Sequence, residues 1–99
     1  MLVEDQAPGQ RQILLVDDDS DFRWATGNVI KAAGYRVIHA ADGYEALRFL
    51  EKDIPHLVLL DYRMPGLTGL EVAEAMKQRI PAVPIVIITA YAEIDSAVK

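Results

Sequence analysis

Short apolar runs recur along the chain, and each one stops at a polar residue or a turn. Three of them are Ile13–Val16, Leu57–Leu60 and Ile85–Ile88, and a fourth and less apolar run is Arg36–Ala40. Runs of this length are too short for helices, and continuous apolar runs are typical of strands buried on both faces of a parallel sheet. The pattern therefore predicts four strands.

A helical pattern follows the first predicted strand. Its N-cap is Asp19 or Ser20, and Gly34 stands where a glycine commonly ends a helix. Gly27 in the middle of this helix costs roughly 1 kcal/mol relative to alanine, and the pattern offers no reason for it. Trp24 lies off the apolar face, so it is predicted to pack on a neighbouring element or to mark a surface patch. The residues predicted to face the core are Phe22, Ala25, Val29, Ile30 and Ala33.

Two more helical patterns and the start of another follow. They span residues 44–52, a stretch from the predicted N-cap Thr68 to about residue 78, and residues 92–99. The predicted inward positions are Leu47 and Leu50 in the first of these, and Leu70, Ala73 and Met76 in the second. Strands that alternate with helices indicate an α/β fold with a doubly wound parallel sheet and right-handed crossovers.

Length and composition narrow the class of protein. Ninety-nine residues suit one small domain, here residues 13–99, and the polar residues 1–12 are predicted to form a flexible arm. The net charge of −5 argues against a nucleic-acid surface within this segment. The absence of cysteine is compatible with the cytoplasm. No basic start followed by an apolar core suggests a signal peptide, and no apolar run approaches the roughly 18 residues of a membrane span.

Polar residues stand at the ends of three predicted strands. Asp17, Asp18 and Asp19 follow the first, Asp61 ends the third, and Thr89 follows the fourth. In a parallel sheet these ends lie along one edge, where α/β proteins bind their ligands. Two unit charges about 4 Å apart repel by about 1 kcal/mol in water and about 4 kcal/mol at an effective dielectric constant near 20. Several converging carboxylates therefore need a cation, and hard oxygen ligands favour Mg²⁺.

This arrangement suits phosphoryl chemistry. Asp61 at the end of a rigid strand can act as a nucleophile toward phosphorus, and Thr89 can donate its hydroxyl to a phosphoryl oxygen. A simpler interpretation is that the acids cap a loop or favour a helix N-terminus. That interpretation accounts for one or two of the acids after the first strand, but it leaves Asp61 and Thr89 unexplained.

Three stretches carry a resemblance to a known family. They are LLVDDD at 14–19, LVLLDYRMPGLTGLE at 57–71 and PIVIITAYA at 84–92. Together they resemble the receiver domain of two-component response regulators over about residues 13–99. The resemblance implies a flavodoxin-like fold and a signalling switch, which promotes its own phosphorylation and dephosphorylation without turning over a separate substrate as an enzyme does.

The resemblance also implies roles for individual residues. Asp61 is expected to accept a phosphoryl group from a histidine of a sensor kinase or phosphotransfer protein. Mg²⁺, or Mn²⁺, is expected to be held by Asp61 together with two further carboxylates and one backbone carbonyl. Two further positions are expected to set the rate at which water removes the phosphoryl group. The implied site comprises the metal ligands Asp17, Asp18, Asp61 and the Arg63 carbonyl, the phosphoryl-binding residues Thr89 and Ala90, and the tuning residues Arg63 and Tyr91.

The sequence departs from the family pattern at its C-terminal end. Receivers continue with a fifth strand, which carries a lysine that contacts the phosphoryl group, and with a fifth helix. Lys99 lies in a helix-start sequence and cannot take that lysine's role. The sheet is therefore expected to lack the fifth strand and helix and to expose Ile85–Ile88 as an apolar edge. Self-association is then expected, through pairing of these edges or through swapping of the last helix. The sequence leaves open whether an effector domain, such as a DNA-binding domain, an ATPase or an enzyme, or no further domain follows Lys99.

Three other interpretations compete. Asp17, Asp19 and Asp21 resemble the start of an EF-hand loop, but the required Gly and Glu are Phe and Asn here. A strand that ends in Asp17-x-Asp19 with a later Thr89 also resembles haloacid-dehalogenase phosphatases, although the Met-Pro-Gly stretch then has no role. The third is a pseudo-receiver that serves only as an interaction module. His39 and His56 have no third ligand nearby in sequence and are predicted to be structural.

Overall fold

Seven elements alternate along the chain in the computed structural model, which describes residues 10–64 and 66–88. The predicted order is confirmed from the first strand to the fourth, and the first strand begins one residue earlier than its apolar run. The helix predicted for residues 92–99 lies outside the described residues. The residues of the predicted arm lie mostly outside the described residues. The elements are β1 Gln12–Val16, α1 Ser20–Ala32, β2 Arg36–Ala40, α2 Gly43–Phe49, β3 Leu57–Asp61, α3 Gly69–Arg79 and β4 Ile85–Ile88.

The four strands form one parallel sheet in the order β2-β1-β3-β4. The predicted doubly wound sheet is therefore confirmed. Because the chain leaves β1 toward β2 and then crosses back to β3, the connections change direction between β1 and β3, and such a switch point is where ligands bind in open α/β sheets. Val16 pairs with Leu60. This register places the next residues, Asp17 and Asp61, side by side at the carboxyl edge.

One face of the sheet carries the main core. Alternate residues of β1 and β3 point toward α2 and α3 and are completely buried, because neighbouring residues of a strand face opposite sides. The buried residues that pack here include Leu14, Val16, Val58 and Leu60 from the strands, and Ala46, Val72 and Met76 from the helices.

The predicted inward faces of α1 and α3 were partly wrong. Val29 is 71% exposed, Phe22 is 44% exposed, and Leu70 in the first turn of α3 is 51% exposed. Gly27 is the buried residue of α1, and Val29 lies two positions away, which is about 200° around a helix. Helical spacing identified an apolar stripe in α1, but the sheet contacts another side of the helix. Of the five predicted residues, Phe22, Ala25, Val29 and Ala33 are exposed and Ile30 is half-buried.

A close approach of α1 to β2 explains Gly27. A Cβ atom at this position would lie 2.9 Å from Cε1 and 3.2 Å from Nε2 of His39, so only glycine fits against the ring. Trp24 stacks on the same ring, with 4.1 Å between centroids, which is the neighbouring-element contact predicted for it. Burial, together with the positive charges of Arg23 and Lys31, lowers the pKa of His39. His39 is therefore a packing residue between α1 and β2.

This contact predicts that replacing Gly27 with alanine lowers stability, which is the reverse of the usual effect in a helix. Gly27→Ala should destabilise the protein, although Ala in place of Gly at a compatible position in a helix gains up to about 1 kcal/mol, because the new methyl group meets the His39 ring. In a His39→Ala background the same change should become stabilising. Urea unfolding of the four proteins measures both effects, and equal effects of Gly27→Ala in the two backgrounds would contradict the proposed clash.

Candidate acidic site at the carboxyl edge of the sheet

Three carboxylates meet at the switch point between β1 and β3. Asp17 is buried, Asp18 is exposed and Asp61 is half-buried, and each offers an oxygen that lies within 4.8 Å of those of the other two. Asp17 and Asp18 begin the loop after β1, while Asp61 is the last residue of β3. The parallel topology thus brings together acids that are more than forty positions apart in the sequence.

The acids of the loop after β1 differ in their hydrogen-bond partners. The Asp17 N–H donates to the Ala40 carbonyl over 3.1 Å, and the Asp17 carboxylate accepts the Asp19 N–H over 2.9 Å. Asp19 in turn accepts the Phe22 N–H over 3.1 Å and caps α1. The simpler interpretation, a helix cap, therefore holds for Asp19 but not for Asp17 or Asp18.

The loop after β3 folds back over the end of that strand. The Tyr62 N–H donates to the Ile88 carbonyl and the Gly69 N–H donates to the Tyr62 carbonyl, each over 2.9 Å. Thr68 and Glu71 form a reciprocal capping box at the start of α3. These bonds fix the backbone after Asp61, and the pairing of β3 with β1 and β4 fixes the backbone before it, so its carboxylate projects from a rigid support.

Burial and mutual repulsion make this cluster resist ionisation. Desolvation is the main cause that raises the pKa of Asp17, and the charges of Asp18 and Asp19 add to it. Desolvation also raises the pKa of Asp61, and the charge of Asp17 is its second cause. Backbone hydrogen bonds from Arg63 and Tyr62 to Asp61 act in the opposite direction. A hard divalent cation would relieve these costs, and an all-oxygen donor set suits Mg²⁺ or Mn²⁺.

The cluster lies in a cleft of about 360 Å³. The polar wall is made by the acids and Arg63, and the apolar wall by Phe22 and Ile88. Ile88 pairs with Asp61 in the sheet. Such a cleft has room for a phosphoryl group beside the Asp61 carboxylate.

Thr89, Ala90 and Tyr91 lie outside the described residues, so their roles stay predictions. Arg63 does line the cleft.

Two residues beside the acidic cluster were not predicted from the sequence. Arg23 donates from Nη1 to the Asp17 carbonyl, and Gly69 lies so close to Asp61 that its Cβ would be 2.5 Å from the Asp61 carbonyl oxygen. A glycine at the first residue of a helix was the available signal for Gly69. The contact of Arg23 has no signature in the sequence pattern.

Comparison with known proteins gives a consistent result. The family model described as response regulator receiver domain matches residues 13–99. The DNA-binding transcriptional regulator NtrC of Escherichia coli K12 is 40% identical over 91 residues, which are 91% of this chain and 19% of that protein. Sporulation initiation phosphotransferase F of Bacillus subtilis is 39% identical over 84 residues, which are 85% of this chain and 68% of that protein. The chain thus spans about a fifth of the NtrC relatives that it matches.

Solved structures show the same similarity. The response regulator TrrA of Thermotoga maritima, solved in complex with Mg(2+)-BeF, has a TM-score of 0.81 and 34% identity over 88% of this chain and 76% of that chain. A complex of the histidine kinase ThkA with TrrA contains a chain with a TM-score of 0.78 and 35% identity, covering 83% of this chain and 71% of that chain.

Proposed function

Because the chain belongs to the family of response regulator receiver domains, we propose that it accepts a phosphoryl group on Asp61 and passes the signal on by a change of conformation. The observation that carries this proposal is the convergence of Asp17, Asp18 and Asp61 within 4.8 Å at the switch point of the sheet. The family is one of signalling switches, so the reaction modifies the chain itself.

Four groups are suited to hold a divalent cation. They are the carboxylates of Asp17, Asp18 and Asp61, which lie together, and the backbone carbonyl of Arg63, a residue that lines the same cleft. When bound, Mg²⁺ or Mn²⁺ supplies positive charge that neutralises phosphoryl oxygens. The similarity to TrrA, which was solved with Mg(2+)-BeF, supports this choice of ion.

The proposed transfer is a substitution at phosphorus. A carboxylate oxygen of Asp61 forms a P–O bond while the P–N bond of a phosphohistidine breaks, and the released imidazole nitrogen takes up a proton. Thr89 would donate its hydroxyl and Ala90 its N–H to the phosphoryl oxygens. The rigid support of Asp61 keeps the attacking oxygen in place.

The direct test is incubation with acetyl phosphate and Mg²⁺, followed by intact-mass measurement. The gain of one phosphoryl group supports the proposal. If neither this gain nor beryllofluoride binding is found, the chain is better described as a pseudo-receiver that serves as an interaction module.

Partners follow from the proposed reaction. The phosphoryl donor would be a sensor histidine kinase or a phosphotransfer protein, and the ThkA–TrrA complex supports a kinase. The length of the NtrC relatives supports an effector domain beyond Lys99. We place the reaction in the cytoplasm, as the lack of cysteine allows. Among the described residues, no helix has the length and apolar character needed to cross a membrane.

Tyr91 provides a test of how fast water removes the phosphoryl group from Asp61. If its ring shields the phosphorylated Asp61 from water, Tyr91→Ala should shorten the lifetime of the phosphorylated form, whereas Tyr91→Phe, which keeps the ring, should preserve it. The decay of the phosphorylated mass with time measures both lifetimes. Equal lifetimes of Tyr91→Ala and the unaltered protein would remove this role from Tyr91.

The edge strand β4 supports the proposed self-association. In the described part of the chain β4 pairs only with β3, and Val86 on β4 is 46% exposed. We expect a second copy of the chain to pair along this edge. Val86→Lys should abolish concentration-dependent association in sedimentation velocity, because a charged edge opposes strand pairing. Val29→Lys, on the exposed side of α1, is the matched control, and a monomeric unaltered protein at every concentration would contradict the expectation.

A further inference from the structure

One basic side chain beside the acidic cluster has no part in the proposed transfer. Arg23 belongs to α1 and is half-buried. Its Nη1 donates a hydrogen bond to the backbone carbonyl of Asp17, whereas its buried Nε meets no partner in the part of the chain that the structure describes. A half-buried cation that is directed at the backbone of a proposed metal ligand needs an explanation.

The hydrogen bond from Arg23 completes the fixation of Asp17. The N–H of Asp17 is bonded to Ala40, and its carboxylate is bonded by the Asp19 N–H. The Asp17 carbonyl belongs to the same planar peptide unit as the Asp18 N–H. Arg23 therefore holds the orientation of the peptide that joins the two acids, and this orientation determines the direction in which the Asp18 side chain projects from the loop.

We propose that Arg23 is a positioning residue, which fixes the peptide between Asp17 and Asp18 so that both carboxylates face Asp61 and bind the divalent cation together. This inference rests on the proposed function, because it concerns the same metal site. It assigns to α1 a direct part in the assembly of the cleft in addition to its packing on the sheet.

The charge of Arg23 makes the proposal easy to test, since two possible roles predict opposite results. A positive charge next to a cation site repels the cation, so its removal should strengthen Mg²⁺ binding if Arg23 acts through charge alone. If Arg23 orients the ligands, its removal should weaken Mg²⁺ binding, by roughly tenfold as for other residues that hold metal ligands in place.

The experiment is calorimetric titration of the purified protein with MgCl₂ at constant ionic strength. Arg23→Gln should bind Mg²⁺ roughly tenfold more weakly than the unaltered protein. Arg23→Lys, which keeps the charge and one donor, should fall between them. Lys31→Gln removes a positive charge from the last turn of the same helix and should not weaken binding.

If folded Arg23→Gln binds Mg²⁺ as tightly as the unaltered protein, or more tightly, the proposal is overturned. A lower unfolding temperature of this variant does not rescue the proposal, because a residue that only stabilises the fold would also show it. If Arg23→Gln does not fold, Arg23→Lys decides, and an affinity equal to that of the unaltered protein overturns the proposal. Failure of the proposed function has a different signature: the unaltered protein then binds Mg²⁺ but gains no phosphoryl group from acetyl phosphate. An unaltered protein that binds no Mg²⁺ would overturn both.

Discussion

Replacing Asp61 with asparagine should abolish the gain of a phosphoryl group from acetyl phosphate and should make the metal-free protein harder to unfold. The first effect follows because an amide is a poor nucleophile toward phosphorus, and the other two acids of the cluster serve as proposed metal ligands. Intact-mass measurement after incubation with acetyl phosphate and Mg²⁺ is the assay, and no phosphorylated species is expected for the variant.

The second effect follows from the direction of the pKa shift. Folding raises the pKa of Asp61 above its ordinary value of 3.8, mainly through desolvation. The folded state therefore binds the proton more tightly than the unfolded state. The contribution of the Asp61 carboxyl group to stability is fully present below pH 3.8 and is lost as the pH rises through the folded-state pKa. Asparagine resembles the protonated acid, so the variant should be more stable at neutral pH and should lose this advantage toward pH 3.8.

The size of this gain can be bounded by repulsion alone. Removal of one carboxylate from within 4.8 Å of two others should gain about 2 kcal/mol, which is about 1 kcal/mol for each pair in water, or about 8 to 16 °C in melting temperature for a domain of this size. Thermal unfolding in the presence of EDTA at several pH values measures it. Added Mg²⁺ should then stabilise the unaltered protein more than the variant.

Asp19→Asn is the matched control for Asp61→Asn. Asp19 lines the same cleft but caps α1, and asparagine caps a helix as well as aspartate does. This variant should still gain a phosphoryl group. A phosphorylated species in Asp61→Asn, or its loss in both variants, would contradict the assignment of Asp61 as the acceptor.

The position of the acidic cluster was predictable from the sequence because topology alone determines it. Apolar runs that end on acids identified β1 and β3, and parallel strands must place those ends at one edge. Asp17 and Asp61 are adjacent because Val16 pairs with Leu60. The topology did not determine that Asp19 is the N-cap of α1, since Asp19 and Ser20 both suit that position.

The orientation of α1 was not predictable from hydrophobic spacing. The spacing located an apolar stripe at Phe22 and Val29, both of which are exposed. The helix instead approaches β2 through Gly27, where the missing side chain allows contact with His39. A glycine contributes nothing to a hydrophobic pattern, so a helix that packs through one is misread by periodicity. Arg23 was missed for a related reason, because the reach of a long side chain depends on the packed structure.

Gly69→Ala should disrupt the site from outside the acidic cluster. A Cβ atom at this position would lie 2.5 Å from the carbonyl oxygen of Asp61 and 2.8 Å from Cα of Tyr62. Both atoms belong to the backbone, so no side-chain rotation can relieve the overlap. The strand end that carries Asp61 must move, at a cost of about 1 to 3 kcal/mol for overpacking. A lower melting temperature and Mg²⁺ binding weakened roughly tenfold are expected.

Gly27→Ala separates loss of stability from loss of the site. Its Cβ meets only side chains, those of His39 and Val37, and both lie on β2 rather than in the cleft. It should therefore lower the melting temperature while leaving the Mg²⁺ affinity of the folded protein unchanged. Calorimetric titration and thermal unfolding of both variants make the comparison. If Gly69→Ala bound Mg²⁺ as tightly as Gly27→Ala, the backbone beside Asp61 would not control the geometry of the acidic cluster, and the rigid support of the acceptor would lose its part in the mechanism.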